Sequence, residues 1–438
     1  MAFPFSIIER IFKRSGVEAG GGGRRWEGAA SLATPQQQTL AARGASKARA
    51  SALYTNTAQG HRIVEAWSVS LVGKGWQVRP QHPDTATRRA LSDAFEAMTR
   101  PLMMTMARAI VRDGEAFVQL VVAEDGTLCP KLLAADQIDP SLTRDLGNGA
   151  RIVAGIEFDA ADQVVAYHVL REAPGTPFQT YAAPIRVPAS DMLHMFDKLF
   201  PGQVRGLSWL APVLLKLRDR DEASDALLMQ LKVASLITGF IRDTDGTAAG
   251  FLAENTTLNV ALEPGAMRIL PTGAEVSFSQ PGQGLAQAIE FLRAQDREIA
   301  AGAGLTFESL TGDLGEANYS SARVGMLEFR RRAEAMQLNL IEAQFLRPLW
   351  KRWTDIRALA GELPADRASL ADYHAVRFVA PGWAWVDPQN EVAADVAAIE
   401  AGLKSREEVV AGRGRDIDEL DEERARDAMR AATTEAAA

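Results

Sequence analysis

Few residues in this chain have the types and spacing that a catalytic site requires. Four carboxylates follow one another in a charged segment, and such a cluster could hold a metal ion or act as acid and base: Asp219, Asp221, Glu222 and Asp225. Arg218 and Arg220 interleave with them, which is typical of a solvated or intersubunit belt of ion pairs. The segment therefore favours electrostatic contacts over catalysis.

Other signatures of catalysis and metal binding are absent from the sequence. There is no GxxxxGK[ST] phosphate-binding loop and no GxSxG nucleophile elbow, and Ser208 is interpreted as a helix cap. Five histidines occur without an HxH or HxxxH pair, and each is expected at the surface or at a strand end: His61, His82, His168, His194 and His374. We therefore predict a protein that is not an enzyme and has neither cofactor nor metal.

Basic residues concentrate on one predicted helix near the last third of the chain: Arg323, Arg330, Arg331 and Arg332. They suit weak contacts with DNA phosphates or ion pairs between subunits. The nearby Glu328, Glu334 and Glu342 favour the ion pairs.

Composition narrows the class of protein. The formal net charge of the 438 residues is -8, whereas a domain that grips DNA by its phosphates usually carries a basic patch, so a simple DNA-binding domain is disfavoured. Cys129 is the only cysteine, which excludes an intramolecular disulfide. No apolar run approaches the roughly 20 residues of a membrane span. We expect a soluble protein without membrane contacts, made in a cytoplasm.

The elements that must position these residues form a mixed pattern. A helix is predicted over residues 87–112, and β-rich runs follow at 114–122, 129–133, 154–158 and 164–170. Three longer helices follow, at residues 207–241, at 285–302 and from about 318 to 359. Pro348 is expected to kink the last of them. Beyond these come a strand at 375–380 and two or three small helices. The pattern predicts an α+β fold.

Three stretches carry a pattern that composition does not explain: Arg205–Asp221, Arg297–Arg331 and Pro381–Val410. Shorter matches occur at Asp113-Gly114-Glu115 and at residues 155–159. In combination they resemble the lambda-type phage portal family over most of residues 50–415.

The resemblance implies a portal-like fold that assembles as a ring, commonly of twelve subunits, at one vertex of a capsid. With the glycine-rich N-terminus, it divides the chain into a flexible arm (1–49), a mixed α/β wing (50–206), a stem helix (207–241), a small β-containing clip (242–283), a second stem helix (284–303), a tunnel loop (304–317), a kinked wing helix with a return strand (318–387), and a helical crown and tail (388–438).

The resemblance also implies a function and partners. Double-stranded DNA would be packaged and ejected through the ring, and the tunnel loop is expected to face it through Leu305, Glu308, Thr311, Asp313 and Glu316. The clip would dock the large terminase subunit and later head-completion or tail adaptor proteins, and the ring would meet the major capsid or scaffold protein. The expected location is the portal vertex of the virion, after assembly in the host cytoplasm.

Two other classes stay open. A head–tail adaptor would share the acidic, cysteine-poor composition, but such adaptors are usually much shorter and would not need the third long helix. A hydrolase or nuclease would need a convergent acid–base or metal site, which the sequence does not offer.

Overall fold

The computed structural model describes residues 34–177, 182–235, 239–243, 274–278, 285–315, 319–363, 367–383 and 388–437. Its first half contains α1 (Pro35–Asn56), α2 (Ala58–Val72), β1 (Gln77–Pro80), α3 (Thr85–Asp113), β2 (Glu115–Val122), β3 (Leu128–Leu133), β4 (Arg144–Gly147), β5 (Ala150–Val153), β6 (Ile156–Phe158), β7 (Val164–Val169), β8 (Ile185–Pro188) and β9 (Met192–Phe196).

The second half contains the remaining helices and strands. Its elements are α4 (Leu214–Ser235), β10 (Gly239–Asp243), β11 (Ala274–Phe278), α5 (Leu285–Ala303), α6 (Phe307–Thr311), α7 (Tyr319–Met336), a π-helical segment (Gln337–Leu346), α8 (Arg347–Leu359), α9 (Arg367–His374), β12 (Val376–Val379), α10 (Pro388–Glu400), α11 (Arg406–Gly412) and α12 (Ile417–Ala437). Helices and antiparallel strands together confirm the predicted α+β class.

The main core lies between α2, α3 and the π-helical segment with α8. Asp84 caps α3 by accepting a hydrogen bond from the Thr87 amide, and α3 ends at Gly114, whose φ of 90° suits a glycine. The ring of Phe95 on α3 meets that of Trp350 on α8 edge to face, with centroids 5.0 Å apart. This aromatic packing joins the first third of the chain to the last.

Two antiparallel sheets follow α3. In the smaller sheet, β2 lies between β3 and β9, and in the larger one β4 to β8 form a meander of five strands. A second apolar cluster, which includes Phe117, Ile138 and Tyr167, fills the space between the sheets. The β-rich runs predicted from sequence correspond to β2, β3, β6 and β7.

The predicted stem helix at 207–241 is too long at both ends. Before α4, the chain turns, because the Trp209 amide donates to Val111 O at the end of α3 and the Ala211 amide donates to Ser208 O. Ser208 therefore caps a turn, with its hydroxyl accepting from the Leu210 amide at 3.2 Å, and does not begin a helix. After α4, β10 pairs with β11, so the last residues of the predicted helix are a strand.

The arm prediction is also wrong for residues 35–49, which lie in α1. Thr34 caps this helix in a capping box with Gln37, and Arg43 and Ala50 are buried against the body. The residues of α1 are mostly small or polar, so they show no apolar periodicity that would predict a helix. The helix packs on the body largely through one buried arginine, Arg43. Residues 1–33 of the predicted arm and most of the predicted clip, at 244–273, lie outside the described residues.

The third long helix exists, but a π-helical segment interrupts it just before Pro348. There the Arg347 amide donates to Glu342 O, five residues back, which gives room for a proline that lacks an N–H and would clash in a regular helix. Gln344 in this segment bonds with both backbone groups of Phe196 at the end of β9, at 3.1 and 3.3 Å. The interruption thus docks the helix on the smaller sheet.

The return strand and the C-terminal helices follow the predicted order. The strand β12 pairs with β1 in the register Gln77 to Val379. Arg79 on β1 forms ion pairs with Asp416 and Glu419, which tie α12 to the body. Among the described helices, none combines the length and the apolar character of a membrane span.

Candidate functional site

The predicted tunnel loop contains a short, anchored helix. Gly304 has a φ of 71° and breaks α5, after which Thr306 caps α6 by accepting from the Ser309 amide at 3.1 Å. Leu305 and Leu310 are buried in the main core. The expectation that Leu305 faces DNA is therefore wrong, because its side chain is enclosed by protein.

Three other residues predicted to face DNA lie in or just after this short helix. Thr311 is exposed at the end of α6, and Glu308 is partly exposed on its first turn. Asp313 follows, and its carboxylate accepts a hydrogen bond from Arg293 on α5 at 3.1 Å. Glu316 lies outside the described residues. The structure thus brings Glu308, Thr311 and Asp313 to one exposed turn.

Side chains from two other helices hold this turn in place. Arg62 on α2 donates through Nε to Ser309 O at 2.7 Å, and Trp67 on the same helix donates through Nε1 to Ala303 O at 2.9 Å. The Arg293–Asp313 pair adds the connection to α5. The segment from Gly304 to Gly315 is therefore anchored at its start and middle, and only its last residues depend on a surface ion pair.

The arginines predicted as DNA or intersubunit contacts point in different directions. Arg330 lies over the Trp383 ring at 5.6 Å, and burial there lowers its pKa from the ordinary value. Arg332 reaches Glu328 at 3.6 Å, next to Gly304. Arg331 is exposed, and Arg323 is partly so. They form no single phosphate-binding cluster.

The carboxylates predicted to pair between subunits are used within the chain. Glu328 pairs with Arg332, and Glu342 with Arg347. Glu334 accepts a hydrogen bond from Trp383 Nε1 at 2.9 Å. Each of these carboxylates therefore has a partner within the chain, and pairing between subunits stays a prediction.

The structure contains a buried cluster of charged groups that the sequence analysis did not predict. We call it the Glu115 cluster; it comprises Glu115, Arg43, Arg205 and His194. Glu115 is fully buried and accepts from Arg43 Nη2 at 2.6 Å, Arg205 Nη2 at 2.7 Å and the Gly206 amide at 2.9 Å. His194 Nε2 lies 3.1 Å from its second oxygen. These contacts join α1, β2, β9 and the turn before α4.

Arg205 extends the cluster to both sheets. Its Nη1 donates to Ala154 O at 2.6 Å and its Nη2 donates to Ala135 O at 2.9 Å, while its guanidinium lies 5.2 Å from the Phe117 ring. Backbone carbonyls and a carboxylate together satisfy the buried charge, as a buried arginine requires. The side chain therefore fixes how the two sheets approach each other.

Electrostatics set the charge states in the cluster. Burial alone would raise the pKa of Glu115, but attraction to Arg205 and Arg43, with the hydrogen bond from His194, holds it well below its ordinary range. Burial lowers the pKa of His194, and this effect outweighs the opposing influence of Glu115. The cluster is thus an ionised carboxylate between two arginines, beside a histidine that favours the neutral form.

Two glycines allow these segments to approach closely. A Cβ atom on Gly206 would lie 2.2 Å from Gly114 O, and one on Gly114 would lie 2.1 Å from the Leu207 carbonyl carbon. The sequence Asp113-Gly114-Glu115 therefore meets Arg205-Gly206, backbone against backbone. Two of the segments on which the family resemblance rests are therefore in direct contact with each other.

The contacts of the described charged residues fit a structural role better than a catalytic one. Within the described residues, no group of three or more His, Cys, Asp or Glu side chains is placed to hold a metal ion. In the charged segment of α4, Arg218 pairs with Glu222 at 2.7 Å, and Arg220 reaches Asp296 on α5 at 3.0 Å. Both arginines of this segment thus pair within the chain, and an intersubunit belt stays a prediction.

Comparison with known families identifies this architecture. The model of the family "Phage portal protein, lambda family" matches residues 22–337, which is most of the chain. The chain belongs to the lambda family of phage portal proteins. Proteins of this family are structural, not enzymatic.

The portal chain is similar to several curated relatives. It is 26% identical over 321 residues to the probable portal protein of Halomonas phage phiHAP-1, an alignment that covers 71% of this chain and 62% of the relative. It is 24% identical over 317 residues to portal protein B of Escherichia phage lambda, with 65% and 59% covered. The chain thus spans about three fifths of the length of these relatives.

Solved structures with a similar chain include parts of gene transfer agent particles. One, the virion of the native particle, aligns over 90% of this chain and 96% of its own at a TM-score of 0.45 and 18% identity. Another, the neck of the native particle computed with C12 symmetry, gives a TM-score of 0.45 over 83% and 93%.

Proposed function

We propose that this portal chain assembles into a homo-oligomeric ring of about twelve copies at a unique capsid vertex, and that double-stranded DNA is packaged and ejected through the ring. Family membership supports the proposal, and the uncovered apolar surface of the long helices is the structural observation that carries it. These exposed side chains are Leu215, Leu228 and Met229 on α4, Ile289 and Phe291 on α5, and Val324 and Leu327 on α7.

Such surface is typical of an interface. Large apolar side chains exposed along neighbouring helices mark sites of association, and a subunit in a closed ring needs two different faces covered. Two ion pairs link α4 to α5 and hold these helices as one unit: Arg220 with Asp296, and Lys216 with Glu298. The pair can therefore present its apolar side chains to neighbours without separating.

The charge of the chain fits a passive conduit. Strong phosphate contacts would act as barriers to translocation, whereas the formal charge of -8 per chain gives a ring of about twelve copies a summed charge on the order of -100. We place the turn with Glu308, Thr311 and Asp313 nearest the DNA. Arg323 and Arg331 are proposed to give weak contacts, with DNA or with a neighbouring subunit.

Docking is proposed for the remaining regions. The segment 242–283 would bind the large terminase subunit and later the head-completion or tail adaptor proteins. The described residues of this segment belong to the antiparallel pair of strands β10 and β11. The wing would meet the major capsid or scaffold protein. The virion would be the final location, with assembly in the host cytoplasm.

The position of the α6 turn can be tested with charge. Changing Glu308→Lys and Thr311→Lys would add basic groups to the turn in every subunit while leaving the buried Leu305 and Leu310 in place. A matched control exists in the exposed β2–β3 hairpin, where Glu124→Lys and Thr127→Lys change the same residue types at the same spacing.

We expect intact rings from both variants and slower DNA packaging only from the α6 variant, with a defect that weakens as salt is raised, because added salt screens phosphate contacts. Packaging into proheads built with each variant measures this. Equal packaging by the two variants would contradict the position of the turn.

A further inference from the structure

An exposed face of α4 has apolar side chains at both ends and carboxylates in the middle. We call it the α4 face; it comprises Leu215, Asp221, Asp225, Leu228 and Met229. Leu215 is 70% exposed and Met229 is 60% exposed. The opposite side of the helix holds Arg220 against Asp296 of α5. Arg218 and Glu222 neutralise each other on this face, which leaves the charge of the two aspartates.

A face with the complementary pattern lies on α7 and the start of the π-helical segment. We call it the α7 face; it comprises Val324, Leu327, Arg331 and Leu338. Val324 is 67% exposed and Leu338 is 56% exposed. These positions recur at spacings of three, four and seven residues, which places them on one side of a helix. The other side carries Ala333, which is fully buried, and Phe329, which packs on Trp67.

The two faces match in length and in the position of charge. Leu215 and Met229 are fourteen residues apart, as are Val324 and Leu338, so each face spans about 21 Å at 1.5 Å per residue. Arg331 stands midway along the α7 face, and Asp221 and Asp225 flank the midpoint of the α4 face. Apolar ends therefore meet apolar ends when the opposite charges face each other.

The charged groups at both midpoints are available for a partner. Within the part of the chain that the structure describes, neither Asp221, Asp225 nor Arg331 forms an ion pair. Within one subunit, α4 packs on α5, whereas α7 packs on α2 through Phe329 and Trp67. One copy thus has both surfaces uncovered.

We propose that the α7 face of one subunit docks on the α4 face of the next, with Arg331 between Asp221 and Asp225. The contact joins two different surfaces, so it is heterologous and repeats around a closed ring. The inference rests on the proposed ring and names the contact that builds it. The opposite charges fix the register of the contact, and the leucines, valine and methionine supply the buried apolar area.

Charge reversal tests the contact. One variant carries Arg331→Glu, and a second carries Asp221→Lys with Asp225→Lys. In each, like charges meet at the midpoint, which disfavours association. We expect each variant alone to lower the fraction of chain in rings by at least about tenfold, measured by light scattering and negative-stain microscopy. Arg144→Glu, on the exposed edge strand β4, is the control and should leave the rings intact.

Rescue distinguishes a docked pair from general damage. A chain that carries all three reversals should regain rings. An equimolar mixture of the two separately purified variants should also form rings, because alternating subunits restore opposite charges at every contact.

Rings from each variant alone, at the wild-type level, would overturn the pairing, and so would loss of rings without rescue by either route. A wild-type chain that forms no ring would refute the proposed function itself. The two failures are therefore told apart by the wild-type sample.

Discussion

Removing the charge at the centre of the Glu115 cluster should strongly destabilise the portal chain. Glu115→Gln keeps the shape of the side chain but leaves Arg43 and Arg205 facing each other without the carboxylate. Both arginines donate to the same oxygen of Glu115, at 2.6 and 2.7 Å, and Arg205 is fully buried. Neither guanidinium can therefore regain water without opening the contact between the sheets.

The structure contains a control that differs mainly in burial. Glu157 also accepts from an arginine, Arg186, at 2.9 Å, and lies 3.0 Å from a histidine, His168. The Arg186 side chain is 52% exposed, so solvent compensates it when the carboxylate is lost. Removing one partner of a buried ion pair costs about 3–5 kcal/mol, whereas an exposed pair contributes less than about 1 kcal/mol.

Thermal unfolding followed by tryptophan fluorescence measures the difference. For a chain of this size we expect Glu115→Gln to lower the unfolding temperature by on the order of 5 °C, and Glu157→Gln to lower it by about 1 °C or less. Urea midpoints should show the same ranking. Equal shifts for the two variants would refute the reasoning, because burial would then not decide the cost.

Two further predictions concern the same cluster and the α6 turn. Because the pKa of His194 is lower in the folded chain than its ordinary 6.5, protonation of this histidine favours the unfolded state. Its contribution to the free energy of unfolding is complete above pH 6.5 and is lost as the pH falls through the lower pKa of the folded chain. The unfolding temperature should therefore drop from pH 7 to pH 5. His194→Gln should reduce that drop, and an unchanged pH dependence would contradict the assignment. Arg293→Gln should free Asp313 and speed amide hydrogen exchange at residues 312–315 while the unfolding temperature stays nearly constant; equal exchange in wild type and variant would show that the ion pair does not hold the turn.

Elements with a strong periodic pattern could be predicted from the sequence. The helix α3, the long helix with a disturbance at Pro348 and the strands β2, β3, β6 and β7 all appear close to their expected positions. Their apolar residues repeat at helical or alternating spacing, and local pattern is enough to define them. A disturbance at Pro348 was predictable because a proline inside a helix lacks the N–H and its ring crowds the carbonyl four residues earlier.

Features that depend on distant contacts could not be predicted. The helix α1 has little apolar character, and its position depends on Arg43 reaching a carboxylate 72 residues further along the chain. The family resemblance placed Leu305 in a tunnel loop that faces DNA, but its apolar side chain enters the core. His194 was expected at the surface or at a strand end, but it lies in the middle of β9 and stacks on Phe117 at 4.2 Å in the interior.

The Glu115 cluster gave one signal in the sequence. A glutamate opens the strand Glu115–Val122, whose next residues are nearly all apolar, and it follows a glycine at a helix end. A charged residue in such a strand requires a buried partner. The partner could not be predicted from the sequence, because Arg205 lies 90 residues further along the chain.

The mass and shape of the purified chain test the central claim most directly. A ring of about twelve copies of the 47.4 kDa chain would have a mass of about 570 kDa by light scattering, and negative-stain images should show a closed ring with a central hole. A sample that stays at the mass of one chain under dilute and concentrated conditions, without ring-shaped particles, would contradict the claim.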